Sequence, residues 1–364
     1  SIRPCCSIFS NIKVFGAPKS IQIMNLTLKD IAQTLGISIA TVSKALKDYD
    51  DISPETKKRV KEYAEKVNFK PNVQASFLRT QKTKLLGVII PELNNDFFNE
   101  TLKGILSEAE KNKYHVVVLC SKESYEKEVI QINELVQLKV DGIFLSISNK
   151  TYKYNHLKEV QQQKIPLILF DRIAKSIPSF RVIIDDQKAA FLATEHLIKQ
   201  GCKNIAHFRG NLIPQMSIDR FIGYKKALEL YNLPFQKEWC LVCEDDSFKN
   251  GYENAKKLLK ITHDVDGLFS ITDRTAIGAM NYFKKNGLKV PEDIAVIGFS
   301  NWKVSALTSP SLSSVEQNGV KMGKKVIELF IKTQKENKEE KKEFKTIKIP
   351  TKICLRESSM RTKT

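Results

Sequence analysis

From Leu85 onward the chain alternates short apolar runs with amphipathic stretches for about 245 residues, and this rhythm restricts its fold more than any other feature. Residues 85–90, 115–120, 142–146, 166–170, 181–184, 204–208, 267–271 and 294–299 read as strands, with helices between most of them, for example over 99–112, 126–139, 188–200 and 219–231. Strands that are apolar on both faces and spaced by helices belong to parallel sheets covered by helices on either side. This much chain is too long for one sheet of usual size, so two similar doubly wound lobes are expected.

The first 84 residues have a different character. Thr27 can cap a helix over 28–35 that Gly36 ends, Ser38 can cap a second over 39–46, and Ser53-Pro54-Glu55 opens a third. Val60, Tyr63, Ala64 and Val67 give the third helix an apolar face. Ala32 is small where the first two helices must cross, Gly36 can take the left-handed turn, and Val42 points back into the small core. That spacing is the helix-turn-helix pattern, whose second helix enters a DNA major groove. Its polar face carries Ser38, Thr41, Ser43 and Lys44, while Lys57, Lys58, Arg59 and Lys61 on the third helix suit phosphate contact. Pro71 breaks the chain, residues 72–79 can form one more short helix, and residues 80–84 read as a basic linker.

The charge falls where a nucleic-acid reader would carry it. The net charge is +18, of which residues 1–84 hold +8, residues 332–364 hold +6, and the long middle only +4. No apolar run of about 18 residues exists, so no membrane partner is expected. Seven irregularly spaced cysteines argue against a disulfide framework. Cys240-x-x-Cys243 lies in a strand-like stretch with no second ligand pair, so it reads as packing, and neither a metal nor a cofactor is expected. There is no Gly-x-Gly-x-x-Gly after a strand, no phosphate loop and no Gly-x-Ser-x-Gly elbow, and the five histidines form no acid–base constellation, which argues against an enzyme. Residues 1–23 lack the marks of a signal peptide and precede Met24; they read as a disordered extension or a misplaced start. Residues 335–345 read as a solvated charged loop before a β-like stretch over 346–355.

Several blocks in order resemble one family. Asp30-Ile31-Ala32, Gly36-Ile37-Ser38-Ile39-Ala40-Thr41-Val42-Ser43-Lys44, Phe69-Lys70-Pro71-Asn72, Val140-Asp141-Gly142-Ile143, Phe170-Asp171-Arg172 and Val296-Ile297-Gly298-Phe299 are similar to the LacI/GalR-type, lactose-repressor-like regulators. The resemblance spans about residues 25–333. It implies a small all-α helix-turn-helix headpiece over 25–71, a hinge helix and linker over 72–84, and a periplasmic-binding-protein-like α/β sensor of two doubly wound parallel-sheet lobes over 85–333, followed by a charged loop and β-like tail over 334–364. It further implies a homodimer that reads double-stranded operator DNA, Ile39, Ala40 and Lys44 meeting base edges, with Thr27, Ser38, Thr41 and Ser43 also on the DNA. Asn72, Ala75, Leu78 and Arg79 match the hinge helix, Leu78 as a wedge in the minor groove. Lys44 stands where arginine is usual, and a lysine lacks the guanine-reading fork.

For the sensor, the resemblance implies a small-molecule effector, a sugar or sugar derivative, held between the lobes. Phe97, Phe98, Ser146, Asp171, Arg220, Thr272, Asp273, Ser300, Asn301 and Gln317 fall at its pocket positions. Thr272 replaces a common Asn and Ser300 a frequent Asp, and retained Arg220 with fewer acidic neighbours points to a sugar acid or sugar phosphate. The expected role is a bacterial, cytoplasmic, nucleoid-associated repressor whose operator affinity the effector controls. The alternatives are an activator or co-repressor-dependent regulator of the same family and, remotely, a sugar-binding transport protein, which would need an export signal and no basic headpiece.

Overall fold

The computed structural model describes residues 26–69, 82–335 and 343–361. The chain divides into two compact units, one ending at Gln81 and one beginning at Lys82, which are described separately. The expected hinge positions Asn72, Ala75, Leu78 and Arg79, the extension over 1–23, and most of the charged loop lie outside the described residues.

The first unit is three helices: α1 (Leu28–Leu35), α2 (Ile39–Ala45) and α3 (Pro54–Lys66). Thr27 and Asp30 form a reciprocal capping box at the start of α1. Gly36 ends it at φ +66°, where a side chain would be strained. Ser38 caps α2, and Ser53 caps α3 with Pro54 in its first turn. Ile31, Ala32, Val42, Ala45 and Val60 close the core, so the Ala–Gly–Val spacing does the packing expected of it.

The second unit holds two six-stranded sheets. In chain order its elements are β1 (Leu85–Ile90), α4 (Asp96–Lys111), β2 (His115–Cys120), α5 (Tyr125–Gln137), β3 (Gly142–Leu145), α6 (Asn155–Gln162), β4 (Leu167–Phe170) and β5 (Phe180–Ile184). There follow α7 (Asp186–Lys199), β6 (Ile205–Arg209), α8 (Gln215–Leu230), β7 (Cys240–Val242), α9 (Phe248–Ile261), β8 (Gly267–Ser270), α10 (Asp273–Lys285) and β9 (Ala295–Phe299). The last elements are β10 (Ser313–Glu316), α11 (Gly319–Lys335), β11 (Thr346–Ile349) and β12 (Lys352–Cys354). The strand orders are β11-β5-β4-β3-β1-β2 and β12-β10-β9-β8-β6-β7, parallel throughout except where β12 runs antiparallel to β10. Each lobe therefore repeats the same winding, and the chain passes between lobes three times, after β5, β10 and β11.

Helix α4 begins at Asp96, three residues earlier than the apolar pattern suggests, because Asn95 accepts from the Phe97 and Phe98 amides and fixes its first turn. Against it packs α11, so closely that a β-carbon on Gly323 would lie 2.0 Å from the Thr101 carbonyl oxygen. The stretch 346–355, read as one β-like tail, is two strands, one completing each sheet. Strand β10 escapes an apolar-run reading because its residues are Ser-Ser-Val-Glu. Its serines are buried because they are bonded: Ser313 Oγ donates to the Arg356 carbonyl (2.9 Å) and Ser314 Oγ to Asp273 (2.6 Å).

Candidate functional site

The carboxyl ends of both sheets face one cavity of about 280 Å³ between the lobes, the place where open α/β sheets accept ligands. The first lobe contributes Glu92 after β1, Glu123 after β2, Asn149 and Lys150 after β3, and Asp171 and Arg172 after β4. From the second come Gly210 after β6, Cys243 to Asp246 after β7, Thr272 after β8 and Ser300 after β9. Gln317, on the second crossover, and Phe97 and Phe98, from the first turn of α4, complete the wall. Backbone strain gathers here: Glu123, Asp171 and Ser300 have φ of +54°, +57° and +101°.

Arg220 of α8 is 1% exposed. Its Nε donates to Asp186 Oδ1 (2.8 Å), its Nη1 donates to the Ile271 carbonyl (3.0 Å), and the guanidinium lies 3.5 Å from the centre of the Phe299 ring. Nη2 keeps no protein acceptor among the described residues. Asp186 sits on the first crossover, where burial pushes its carboxyl up to about 7 despite the arginine. Gln317, on the second crossover, bridges the two lobes: its Oε1 accepts from Ser300 Oγ of the second (2.7 Å) and its Nε2 donates to Asp171 Oδ1 of the first (3.3 Å). Burial also raises Asp171. Arg172 Nη1 donates to Glu123 Oε1 at 2.5 Å. On the far side, Asp246 accepts from Thr272 Oγ1 (2.6 Å), and burial raises its carboxyl too.

Of the ten expected effector positions, Phe97, Phe98, Asp171, Arg220, Thr272, Ser300 and Gln317 meet in this cavity. Three do not line it. Asp273 turns inward and is saturated, accepting from the Trp302 amide (2.7 Å), Ser305 Oγ (2.7 Å) and Ser314 Oγ (2.6 Å). Asn301 accepts from Arg356 Nη2 (2.7 Å) and lines a separate depression with Asp96 and Lys303. Ser146 lies fully buried under the sheet end. Pocket residues the motifs did not mark include Glu92, Glu123, Asn149, Ser217 and Asp246. Nearly all sit just past a strand's carboxyl end, and applying that rule to every strand would have found them. The expected preference for an anionic ligand is not supported: the wall carries six carboxylates against three cations, and each arginine is matched by its own acid.

In the headpiece, Ser38, Ile39, Ala40 and Lys44 are exposed and Thr41 and Ser43 half-buried along α2. Ile39, at 47% exposure, presents an uncovered apolar side chain at the start of the recognition helix. Ser38 Oγ bonds both the Thr41 amide (3.0 Å) and its hydroxyl (2.8 Å), and Thr27 is tied to Asp30, so both act first as caps. Lys44 is ion-paired with Asp51. On α3, Lys61 pairs with Asp48 (2.6 Å), Arg59 donates to the Leu35 carbonyl (3.2 Å), Lys57 to the Asp48 carbonyl (3.4 Å), and Lys58 lies 3.9 Å from Glu62.

A helix-turn-helix unit ahead of a two-lobed, cleft-bearing α/β unit defines a DNA-binding regulator with a ligand-binding domain. The family model for bacterial regulatory proteins of the lacI family matches residues 27–72, and that for periplasmic binding proteins and the sugar binding domain of the LacI family matches residues 83–357. Catabolite control protein A of Priestia megaterium is 33% identical over 92% of this chain and 100% of its own length. The ribose operon repressor of Halalkalibacterium halodurans is 32% identical over 92% of this chain and 97% of its own. The lac repressor dimer bound to operator and the anti-inducer ONPF shares the fold, with a TM-score of 0.80 at 21% identity over 92% of this chain and 99% of that one. The chain belongs to the lacI family of bacterial regulatory proteins.

Proposed function

We propose that the protein is a transcriptional repressor of the bacterial cytoplasm, working on the nucleoid, that binds a near-palindromic operator as a homodimer and is controlled by a small carbohydrate-like effector between its lobes. One observation carries the reading: a polar cavity built from the strand ends of both lobes, with Arg220 Nη2 in its wall left without a protein acceptor among the described residues. A ligand touching both lobes has different contacts in open and closed forms, so it shifts their populations. A repressing sign is supported by the ribose operon repressor among the relatives. The relatives are regulators rather than enzymes, and we assign the cleft a binding role with no catalysis.

The test is immunoprecipitation of the full chain from its own cells with sequencing of the bound DNA, then titration of the recovered fragment in vitro. Enrichment of a near-palindrome whose occupancy falls with a small polyol supports the reading. No enriched site under any growth condition contradicts it.

A further inference from the structure

Two features of the cavity remain unexplained by the protein's own bonds. The first is a set of open polar groups. Ser217, 5% exposed, lines the cavity with no hydrogen-bond partner for its hydroxyl among the described residues, beside the free Nη2 of Arg220. Both suit the hydroxyls of a bound polyol.

The second is a confrontation of like charge across the cleft. Glu92, from the end of β1, makes no hydrogen bond or ion pair among the described residues and is half-buried. Burial raises its carboxyl, Asp246 of the opposite lobe and Glu123 raise it further, and Arg172 and Arg274 offset only part of this. Nearby cations are already engaged: Arg172 with Glu123 (2.5 Å), Arg220 with Asp186 (2.8 Å), and Arg274 with the carbonyls of Asp246 (3.0 Å) and Asn94 (2.8 Å). Lys150 is exposed at the mouth. Closing the lobes brings Glu92 and Asp246 together in a medium less screening than water, which is costly unless a positive group comes between them.

Resting on the effector role proposed above, we propose that the effector is an amine-bearing sugar whose ammonium sits between Glu92 and Asp246 while its hydroxyls meet Arg220 and Ser217. The amine does two things at once. It replaces a repulsion between lobes with two charge-assisted hydrogen bonds, and it thereby ties ligand identity to closure. Phe97 and Phe98, with ring centres 5.5 Å apart, supply the apolar edge that a sugar ring needs.

The full chain is titrated calorimetrically with glucosamine, galactosamine and mannosamine, their parent hexoses, N-acetylglucosamine and glucose 6-phosphate. The proposal expects one amine to bind at least about ten-fold tighter than its parent hexose. It also expects Glu92→Gln to erase that preference, bringing the affinity for the amine to that for its parent hexose measured on the same variant; Asp246→Asn, which keeps the volume, should do the same. A neutral hexose or the phosphate ester binding as tightly as every amine overturns the amine assignment and leaves the effector role standing. No binding by any of these compounds counts against both.

Discussion

Arg220 and Asp186 show how a single pair can serve both fold and ligand. The arginine is almost wholly enclosed, and the carboxylate it is paired with lies on the first crossover. Removing one partner of such a pair leaves an uncompensated buried charge, which costs about 3–5 kcal/mol. Arg220→Met should therefore lower the melting temperature of the sensor and abolish effector binding. The double variant Arg220→Met/Asp186→Leu should recover most of the stability and none of the binding, as calorimetry and a melt would show. Full binding by the double variant would remove Arg220 from the site. In the headpiece the decisive residue is Lys44, held by Asp51. Exposed pairs are weak, so Asp51→Asn should tighten operator binding by only about two- to five-fold, with a steeper salt dependence. An unchanged salt slope would show that Lys44 does not approach the DNA.

Elements carry a further layer, most visible around Asp273. This residue opens α10 and gathers two donors from the segment between β9 and β10 and a third, Ser314, from β10 itself, so it organises that segment rather than the ligand. Burial holds its carboxyl up to about 7, from an ordinary 3.8. A carboxyl raised on folding binds its proton more tightly in the native state. Its contribution to stability is then present below about pH 4 and lost as the pH rises through about 7. The melting temperature should accordingly fall less between pH 5 and pH 8 in Asp273→Asn than in the native chain. Asp186 acts in the same direction and leaves a residual slope. His207, held down to about 3, acts oppositely at acid pH, but it is common to both proteins and cancels. Equal slopes would mean that Asp273 is ionised throughout.

What the sequence reveals divides along the same line. Helices α1 to α3 are legible because caps and Gly36 mark their ends locally. Most strands are legible because they are apolar on both faces. Strand β10 is not, since its burial depends on hydrogen bonds to residues more than 40 positions away. Asp273 and Asn301 mislead for the same reason: position in a motif says that a side chain lies near a strand end, not which way it turns. Glu92 and Asp246 carry no motif at all, and only the apposition of two lobes gives them meaning.

For the molecule as a whole, the lobes of the sensor are joined by three crossovers and fastened across the cleft mouth. Arg274 of the second lobe donates to the Asn94 carbonyl of the first (2.8 Å), and Asp246 Oδ2 accepts from Asn95 Nδ2 at 3.5 Å. The Lys303 amide of the second lobe also donates to Asp96 Oδ2 of the first (3.2 Å). These contacts tie the two lobes together across the cleft. Arg274→Ala should shift the population open, enlarging the radius of gyration in solution scattering and weakening effector binding by about three- to ten-fold. No change in either would mean that the crossovers alone set the geometry.

If the cleft holds the effector, its occupancy governs DNA binding by the headpiece. The most direct test measures operator affinity of the full chain by fluorescence anisotropy, with and without the sugar that binds the cleft, for the native protein and Arg220→Met/Asp186→Leu. The sugar should weaken operator binding by the native chain and leave the double variant, on the same operator, indifferent. An operator affinity that ignores the sugar in the native protein, or that responds equally in the variant, would contradict it.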